Sequence, residues 1–185
     1  LVVLDAAKNI VITGASRGIG LALVKWFSAN QHKVWALSRN TTPIMQLNLP
    51  SVTVNTLDLT DEDAVIAWSK NVSPDNIDVL INNAGRLVNK PFSDTKQSDF
   101  EAVFKVNVFG VANITRALLK KLQPGGHVVN ISSMGGIGGT SKFPGLAAYS
   151  SSKGAVSILT ELLAEELKET GPSVNALALG AVQTE

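Results

Sequence analysis

The sequence contains no cysteine, a single tyrosine and few charged residues, which make up 17% of the chain. Without cysteine, disulfides, thiolate metal sites and a cysteine nucleophile are excluded. No cluster of His, Asp and Glu has metal-ligand spacing, so no metal is predicted. The formal net charge of +1 lacks the basic excess of nucleic-acid-binding domains, so we expect no nucleic-acid partner.

Long apolar runs are also missing. No run reaches the ~18 residues of a membrane span, and residues 1–4 are too short an apolar start for a secretory signal. These observations favour a soluble protein without a membrane partner, and they are compatible with a reducing cytoplasm.

The length and composition fit one folded domain over residues 1–185. The chain has 185 residues, of which 45% are hydrophobic, and this is enough for a sizeable core. Six short apolar runs alternate with helical patterns, at residues 9–13, 33–37, 52–57, 77–81, 127–131 and 174–179. This alternation predicts an α/β fold, a Rossmann-like doubly wound parallel sheet with helices on both faces. Ligands of such sheets bind beyond the carboxyl ends of the strands, where most of the candidate residues lie.

A glycine-rich segment joins the first strand to the helix that follows it. Residues 13–20 read Thr-Gly-Ala-Ser-Arg-Gly-Ile-Gly. Glycines let the backbone turn sharply and approach a ligand closely, and the free N–H groups at a helix start suit a pyrophosphate. An ordinary glycine-rich turn is the alternative, but the position after the first strand favours nucleotide binding.

Tyr149 and Lys153 lie four residues apart at the start of a predicted helix, so both side chains share one face. A free phenol has a pKa near ~10, and a nearby ammonium lowers it. Such a phenol can protonate a carbonyl oxygen while a hydride reaches the carbon. A surface tyrosine and lysine without a catalytic role are the alternative.

Taken in order, these motifs resemble those of the short-chain dehydrogenase/reductase family, from about residue 9 to residue 185. The glycine segment matches T-G-x-x-x-G-x-G, and residues 149–153 match Y-x-x-x-K. Further matches are Asp58 after the third strand, residues 82–85 after the fourth, Asn107 on the next helix and residues 131–133 at the end of the fifth. The resemblance implies an oxidoreductase that interconverts a small-molecule carbonyl and its alcohol.

The residues after the second strand indicate which dinucleotide is used. Sites that prefer NAD carry an acidic residue there, whereas this chain has Ser38 and Arg39. Arginine binds phosphate in a fork, and Arg17 in the glycine segment offers a second guanidinium. Two solvated arginines are the alternative, but the chain has only four arginines and two of them fall here. We therefore predict NADP(H).

The resemblance also implies roles for individual residues. Tyr149 is the general acid/base, Lys153 binds the nicotinamide ribose and lowers the tyrosine pKa, and Ser133 binds the substrate oxygen. Asn107 completes a water-linked proton relay; it falls on the apolar face of its helix, so a core asparagine bonded to a backbone carbonyl is the alternative. The expected cofactor-binding residues are Gly14, Ser16, Arg17, Gly18, Ile19, Gly20, Ser38, Arg39, Asp58, Leu59, Asn83, Ala84, Gly85, Tyr149, Lys153, Val182 and Thr184.

Three departures from the family pattern matter. The glycine-rich interval between Ser133 and Tyr149 is longer than usual, which leaves Ser132 as an alternative substrate-binding serine. Leu179 replaces the usual proline before Gly180, in the turn that leads to Val182 and Thr184. Family members continue with a lid and a seventh strand, so we expect the C-terminal strand and lid to be missing from this sequence. We also expect a homodimer or homotetramer.

Two other functions compete with the reductase. One is an NADP(H)-binding regulatory or scaffold protein without turnover, and the other is a sugar-nucleotide epimerase or dehydratase on the extended version of the fold. The Ser, Tyr, Lys and Asn set argues against the first, and the glycine spacing argues against the second. The substrate stays open between a 3-oxoacyl thioester, a small ketone, a sugar and a polycyclic ketone.

Overall fold

The computed structural model describes residues 6–183, which contain one six-stranded parallel sheet. The strands are β1 (Asn9–Thr13), β2 (Lys33–Ser38), β3 (Val52–Thr56), β4 (Ile77–Asn82), β5 (Leu122–Ser133) and β6 (Ser173–Leu179). Their order in the sheet is β3-β2-β1-β4-β5-β6, and the predicted doubly wound α/β fold is confirmed. Thr184, which was predicted to bind the cofactor, lies outside the described residues.

Six helices cover the sheet: α1 (Gly18–Ala29), α2 (Thr42–Met45), α3 (Glu62–Asn71), α4 (Gln97–Phe104), α5 (Gly110–Leu118) and α6 (Ala147–Leu167). They lie on both faces because consecutive residues of the central strands are apolar and point alternately to opposite sides. On one face, Ile10 and Ile12 of β1 pack with Leu21 and Val24 of α1. On the other face, Val11 packs in a second core built largely from the helices α3, α5 and α6.

The segment from α4 to α5 is continuous and strongly apolar. Gln97–Lys121 is long enough to cross a membrane by length and composition, with an 18-residue window of mean hydropathy 1.3, although polar and charged residues interrupt it. In the fold this segment packs on the sheet, where Val103, Ile114 and Leu118 are fully buried. Its apolar character is therefore that of a core helix.

One strand begins earlier than its sequence pattern predicts. β5 starts at Leu122 and not at residue 127, because Leu122 pairs with Ile77 across a register shift that accommodates residues 123–126. Pro124 and Gly125 in this stretch resemble a turn in sequence, and Gly125 has a positive φ of 80°. The pairing of Leu122 with β4 outweighs that local signal.

Candidate active site

A cleft of about 600 Å³ opens beyond the carboxyl ends of β1 to β4. Twelve of the residues predicted to bind the cofactor line it: Gly14, Ser16, Arg17, Gly18, Ile19, Ser38, Arg39, Asp58, Leu59, Asn83, Ala84 and Gly85. The cleft is also lined by Leu37, Leu57, Thr60 and Val106, which were not predicted from the sequence. Leu37, Leu57 and Thr60 are neighbours of predicted residues, so the strand ends could have identified them.

Glycine is required at the floor of the cleft. Gly14 and Gly18 have positive φ angles of 65° and 52°. A Cβ atom on Gly14 would lie 2.6 Å from the Ala84 Cα atom, so only glycine lets the two loops approach. Helix α1 begins at Gly18 without a side-chain cap from Arg17, which leaves its first N–H groups available to an anion.

Gly20 was predicted to bind the cofactor, but it is not among the lining residues of the cleft. It is buried in α1, and a Cβ atom there would overlap the Gly14 carbonyl and approach the Asn83 amide to 2.5 Å. Gly20 thus allows the helix to pack closely against the loop, which is a structural contribution to the same site.

Thr13 fixes the end of β1 to the loop after β4. Its buried hydroxyl accepts hydrogen bonds from the N–H groups of Asn83 and Ala84, both at 3.1 Å. The Asn83 side-chain amide donates in return to the carbonyls of Thr13 and Gly14. These bonds hold two walls of the cleft together, and this role of Thr13 was not predicted from the sequence.

Asp58 and Arg39 lie at the outer end of the cleft. The Asp58 carboxylate accepts 2.9 Å hydrogen bonds from the backbone N–H and the hydroxyl of Thr60. The pKa of Asp58 is lowered, chiefly by the Thr60 backbone hydrogen bond and further by the positive charge of Arg39. Arg39 is exposed, so its guanidinium is accessible to a ligand phosphate.

Tyr149 and Lys153 occupy the first turns of α6, as the Y-x-x-x-K spacing predicts. The Lys153 ammonium is buried and donates a 2.6 Å hydrogen bond to the Ile131 carbonyl, and burial lowers its pKa to about 8. Burial raises the pKa of Tyr149, while a hydrogen bond with Ser133 lowers it. A Cβ atom on Gly85 would lie 3.8 Å from Lys153 Nζ, so this pair adjoins the cleft.

The two serines at the end of β5 point in opposite directions. Ser132 is 2% exposed, and its hydroxyl bonds the Lys153 carbonyl and the Ser157 hydroxyl, both at 3.0 Å. Ser133 is partly exposed and faces Tyr149. Of the two serines, Ser133 is therefore the one beside the phenol.

Asn107 is fully buried in a wider, π-helical turn, Lys105–Phe109, that joins α4 to α5. Its side-chain oxygen accepts the Arg86 N–H at 2.7 Å, and its amide donates to the Arg86 carbonyl at 3.0 Å and to the Ser152 hydroxyl at 2.9 Å. The bond to the Arg86 carbonyl is the contact expected of a core asparagine, which was the alternative to a proton relay. The side chain nevertheless lies beside Gly85 and close to Lys153. Single-turn π segments often mark functional sites.

The glycine-rich stretch after β5 packs around the first turns of α6. A Cβ atom on Gly136 would lie 2.6 Å from the Gly154 nitrogen, and one on Gly135 would lie 2.7 Å from Ser150 Oγ. The stretch then reaches Gly145, whose carbonyl accepts the Lys90 N–H at 2.9 Å. The longer interval is therefore absorbed without displacing Tyr149 from Ser133.

Val182, like Gly20, Tyr149 and Lys153, was predicted to bind the cofactor but is not a lining residue of the cleft. It lies beyond β6, is 50% exposed and does not line the cavity. Gly180, which precedes it in this turn, approaches Met134, since a Cβ there would lie 3.6 Å from the Met134 sulfur.

Comparisons with known proteins find similar sequences over most of the chain. A sequence model of the short chain dehydrogenase family matches residues 8–185. The chain is 35% identical over 182 residues to oxidoreductase BOA17 of Botryotinia fuckeliana, covering 94% of this chain and 65% of that protein. It is 36% identical over 173 residues to carbonyl reductase (NADPH) 2 of Sus scrofa, covering 90% of this chain and 68% of that protein. The chain thus spans about two thirds of the length of these curated relatives.

Solved structures share the fold. A short-chain dehydrogenase from Streptomyces avermitilis has a TM-score of 0.89 at 35% identity, covering 97% of this chain and 68% of that one. ElxO with NADP bound has a TM-score of 0.84 at 33% identity, covering 97% and 75%. A short-chain dehydrogenase/reductase from Burkholderia phymatum in complex with NAD has a TM-score of 0.86 at 25% identity, covering 96% and 67%.

Proposed function

The chain belongs to the short-chain dehydrogenase family, and from this premise we propose that it is an NADP(H)-dependent oxidoreductase that interconverts a carbonyl and a secondary alcohol. The observation that carries the proposal is the placement of Tyr149 between Ser133 and Lys153, beside a dinucleotide-sized cleft. A protein that only bound the cofactor would not need the phenol and the serine.

The residues of the cleft fit a dinucleotide. The close approach of Gly14 to Ala84 forms a cradle that any side chain would fill, and the N-terminus of α1 faces the same space. Bound NADPH would supply a hydride to the carbonyl carbon, which is thereby reduced as the nicotinamide is oxidised. Gly14, Gly18 and Ile19 would hold the pyrophosphate. Asp58 and Leu59 would flank the adenine, and Asn83, Ala84 and Gly85 would line its ribose.

Side chains of the protein supply the proton that the substrate oxygen takes up during reduction. In the direction of reduction, Tyr149 gives its phenolic proton to the substrate oxygen, and Ser133 donates a hydrogen bond to the same oxygen. Lys153 is charged below its pKa of about 8, and its positive charge favours the phenolate that remains. Asn107, buried beside Gly85 and Lys153, would lead the replacement proton to this pair through water.

The preference for NADP(H) rests on Arg39 and Arg17. Both are exposed and line the cleft, and β2 ends without a carboxylate. A guanidinium pairs with a 2′-phosphate, which a carboxylate at this place would repel. The fold itself does not decide, because ElxO is recorded with NADP and the Burkholderia phymatum protein with NAD.

We further propose that two copies associate through the outer face of α6 and the π-helical turn. Phe109, Ile158 and Leu162 are 57–60% exposed there, and Ile158 and Leu162 are one helical turn apart. An apolar face that meets its own copy about a two-fold axis would cover these side chains. Light scattering should show a dimer or tetramer that dissociates in the double variant Ile158→Ser/Leu162→Ser.

We also propose that the protein is located in the cytoplasm, which cell fractionation would test.

A cofactor-oxidation assay tests the main proposal. NADPH oxidation is followed with a panel of small ketones, polycyclic ketones, 3-oxoacyl thioesters and keto sugars, and Tyr149→Phe serves as the inactive control. We expect the wild type, but not Tyr149→Phe, to turn over at least one member of the panel. Cofactor binding without turnover of any member would favour the regulatory or scaffold function, and a redox-neutral change of a sugar nucleotide would favour an epimerase.

A further inference from the structure

We infer that Ser152 is a positioning residue, which acts through Asn107 to hold the loop after β4 against the catalytic turn of α6. Ser152 is fully buried, immediately before Lys153. Nothing in the Y-x-x-x-K pattern assigns it a role. The inference rests on the proposed function for its catalytic consequence, but the contact itself can be tested without activity.

Four hydrogen bonds form the clamp, which we define as Arg86, Asn107, Ser152 and Tyr149. Asn107 accepts the Arg86 N–H at 2.7 Å and donates to the Arg86 carbonyl at 3.0 Å. Its second amide hydrogen goes to Ser152 Oγ at 2.9 Å. The Ser152 hydroxyl donates to the Tyr149 carbonyl at 2.7 Å.

The clamp uses the full donor capacity of both side chains. The Asn107 amide has two hydrogens, and each has one partner; the Ser152 hydroxyl has one hydrogen, which Tyr149 accepts. Ser152 therefore accepts from the amide and cannot donate to it, which fixes the Asn107 oxygen toward the Arg86 N–H. Removal of the hydroxyl would leave a buried Asn107 N–H without a partner, which is costly in a dry interior.

The clamp links two walls of the active site that come from different elements. Gly85 precedes Arg86, lines the cofactor cleft and lies beside Asn107 and Lys153. Tyr149 and Lys153 share the first turns of α6 with Ser152. Loosening of the Ser152 contact would therefore let the Gly85 loop shift relative to the phenol and the ammonium. Catalytic geometry is sensitive to such small displacements.

Hydrogen exchange of the Arg86 amide tests the contact directly. In Ser152→Ala, exchange of this amide relative to that of Val11 in the core should speed up about tenfold, the effect of weakening one buried hydrogen bond. Ser151→Ala is the matched control, since Ser151 is the adjacent serine and is exposed. Ser152→Thr keeps the hydroxyl and should exchange like the wild type. If Ser152→Ala does not fold, Ser152→Cys, whose thiol is a weaker partner, should give an intermediate increase. Unchanged relative exchange in the folded variant would overturn the clamp.

Kinetics then test whether the clamp matters for catalysis. With a substrate found in the carbonyl panel, Ser152→Ala should lower kcat about tenfold and change KM less than about twofold. In an Asn107→Ala background the same change should alter kcat less than about twofold, because Ser152 acts through Asn107. A tenfold loss of kcat in both the wild-type and the Asn107→Ala background would refute the inference that Ser152 acts through Asn107. If the wild type turns over no substrate, the proposed function fails, whereas the exchange measurement still decides the clamp.

Discussion

The Lys153 ammonium lies 5.8 Å from the centre of the Tyr149 ring, and its hydrogen bond goes to the Ile131 carbonyl rather than to the phenol. The groups that shift the pKa of Tyr149 are the surrounding buried side chains and Ser133, and not a hydrogen bond from the lysine. Because burial lowers the pKa of Lys153 to about 8 and raises the pKa of Tyr149, the cofactor-free site disfavours charge on both groups. The positive charge of a bound oxidised nicotinamide would shift the phenol toward its anionic form.

The only tyrosine in the sequence makes the titration of Tyr149 directly observable. In the cofactor-free protein, phenolate absorbance should appear above the ordinary pKa of about 10, because burial disfavours the anion. Ser133→Ala should raise the midpoint further, since the serine hydrogen bond lowers it. NADP+ should move the midpoint down. Tyr149→Phe supplies the blank, and a midpoint below 10 without cofactor would contradict the buried setting of the phenol.

Tyr149→Phe should remove most turnover and leave cofactor binding nearly intact. Loss of a general acid costs roughly 10²–10⁴-fold in kcat, whereas the ring itself is retained. Lys153→Met should lower both kcat and cofactor affinity, because the lysine adjoins the cleft as well as the phenol. Steady-state rates and fluorescence titration with NADPH measure the two effects. Substantial activity in Tyr149→Phe would rule out the assigned proton donor.

Ser133→Ala should lower the rate of turnover, whereas Ser132→Ala should lower the stability of the fold. Ser133 faces the phenol, so its loss should lower kcat about tenfold or more with little change in the free energy of unfolding. Ser132 bonds the Lys153 carbonyl and Ser157 in the core, so its loss should cost about 1–3 kcal/mol of stability. Rates and urea unfolding on both variants separate the two. The reverse outcome would make Ser132 the substrate-binding serine.

The stability of the cofactor-free protein should depend on the titration of Lys153. Its pKa of about 8 in the folded state lies below 10.5, the value for a free lysine, so the unfolded state binds the proton more tightly. The free energy of unfolding should therefore rise by about 2 kcal/mol between about pH 7 and about pH 9.5. Urea unfolding of the wild type and Lys153→Met measures the difference, which should be absent from the variant. If the free energy of unfolding changes with pH in the same way in both proteins, the Lys153 ammonium is solvated in the folded state and the prediction is wrong.

Local sequence signals were sufficient to predict much of the fold and the glycine-rich loop that lines the cleft. β1 has the predicted bounds, and the glycine pattern located the loop that lines the cleft. Strand alternation could also have separated the serines, since Ser132 falls on the buried face of β5 with Val128 and Asn130. That period-two argument assigns Ser133 to the open face.

Contacts between distant elements were beyond the sequence. The start of β5 depends on pairing with Ile77, which outweighs the turn-like Pro124. Asn107 could be placed on an apolar face, but its partners, Arg86 and Ser152, come from other elements. Sequence spacing carries no information on which buried polar groups meet, because their satisfaction is a property of the packed structure.

Arg39 should set the choice between NADPH and NADH. It is exposed at the rim of the cleft and close enough to Asp58 to influence its pKa, but no ion pair with a carboxylate is described for it within residues 6–183. A phosphate there would gain charge-assisted hydrogen bonds, whereas glutamate would repel it. Arg39→Glu should therefore weaken NADPH binding by roughly 100-fold and change NADH binding less than about threefold. Lys25→Glu makes the same change in net charge at an exposed site on α1 outside the cleft, and it should leave the preference intact. Fluorescence titration of both cofactors gives the ratios, and equal affinities in the wild type would refute the NADP(H) preference.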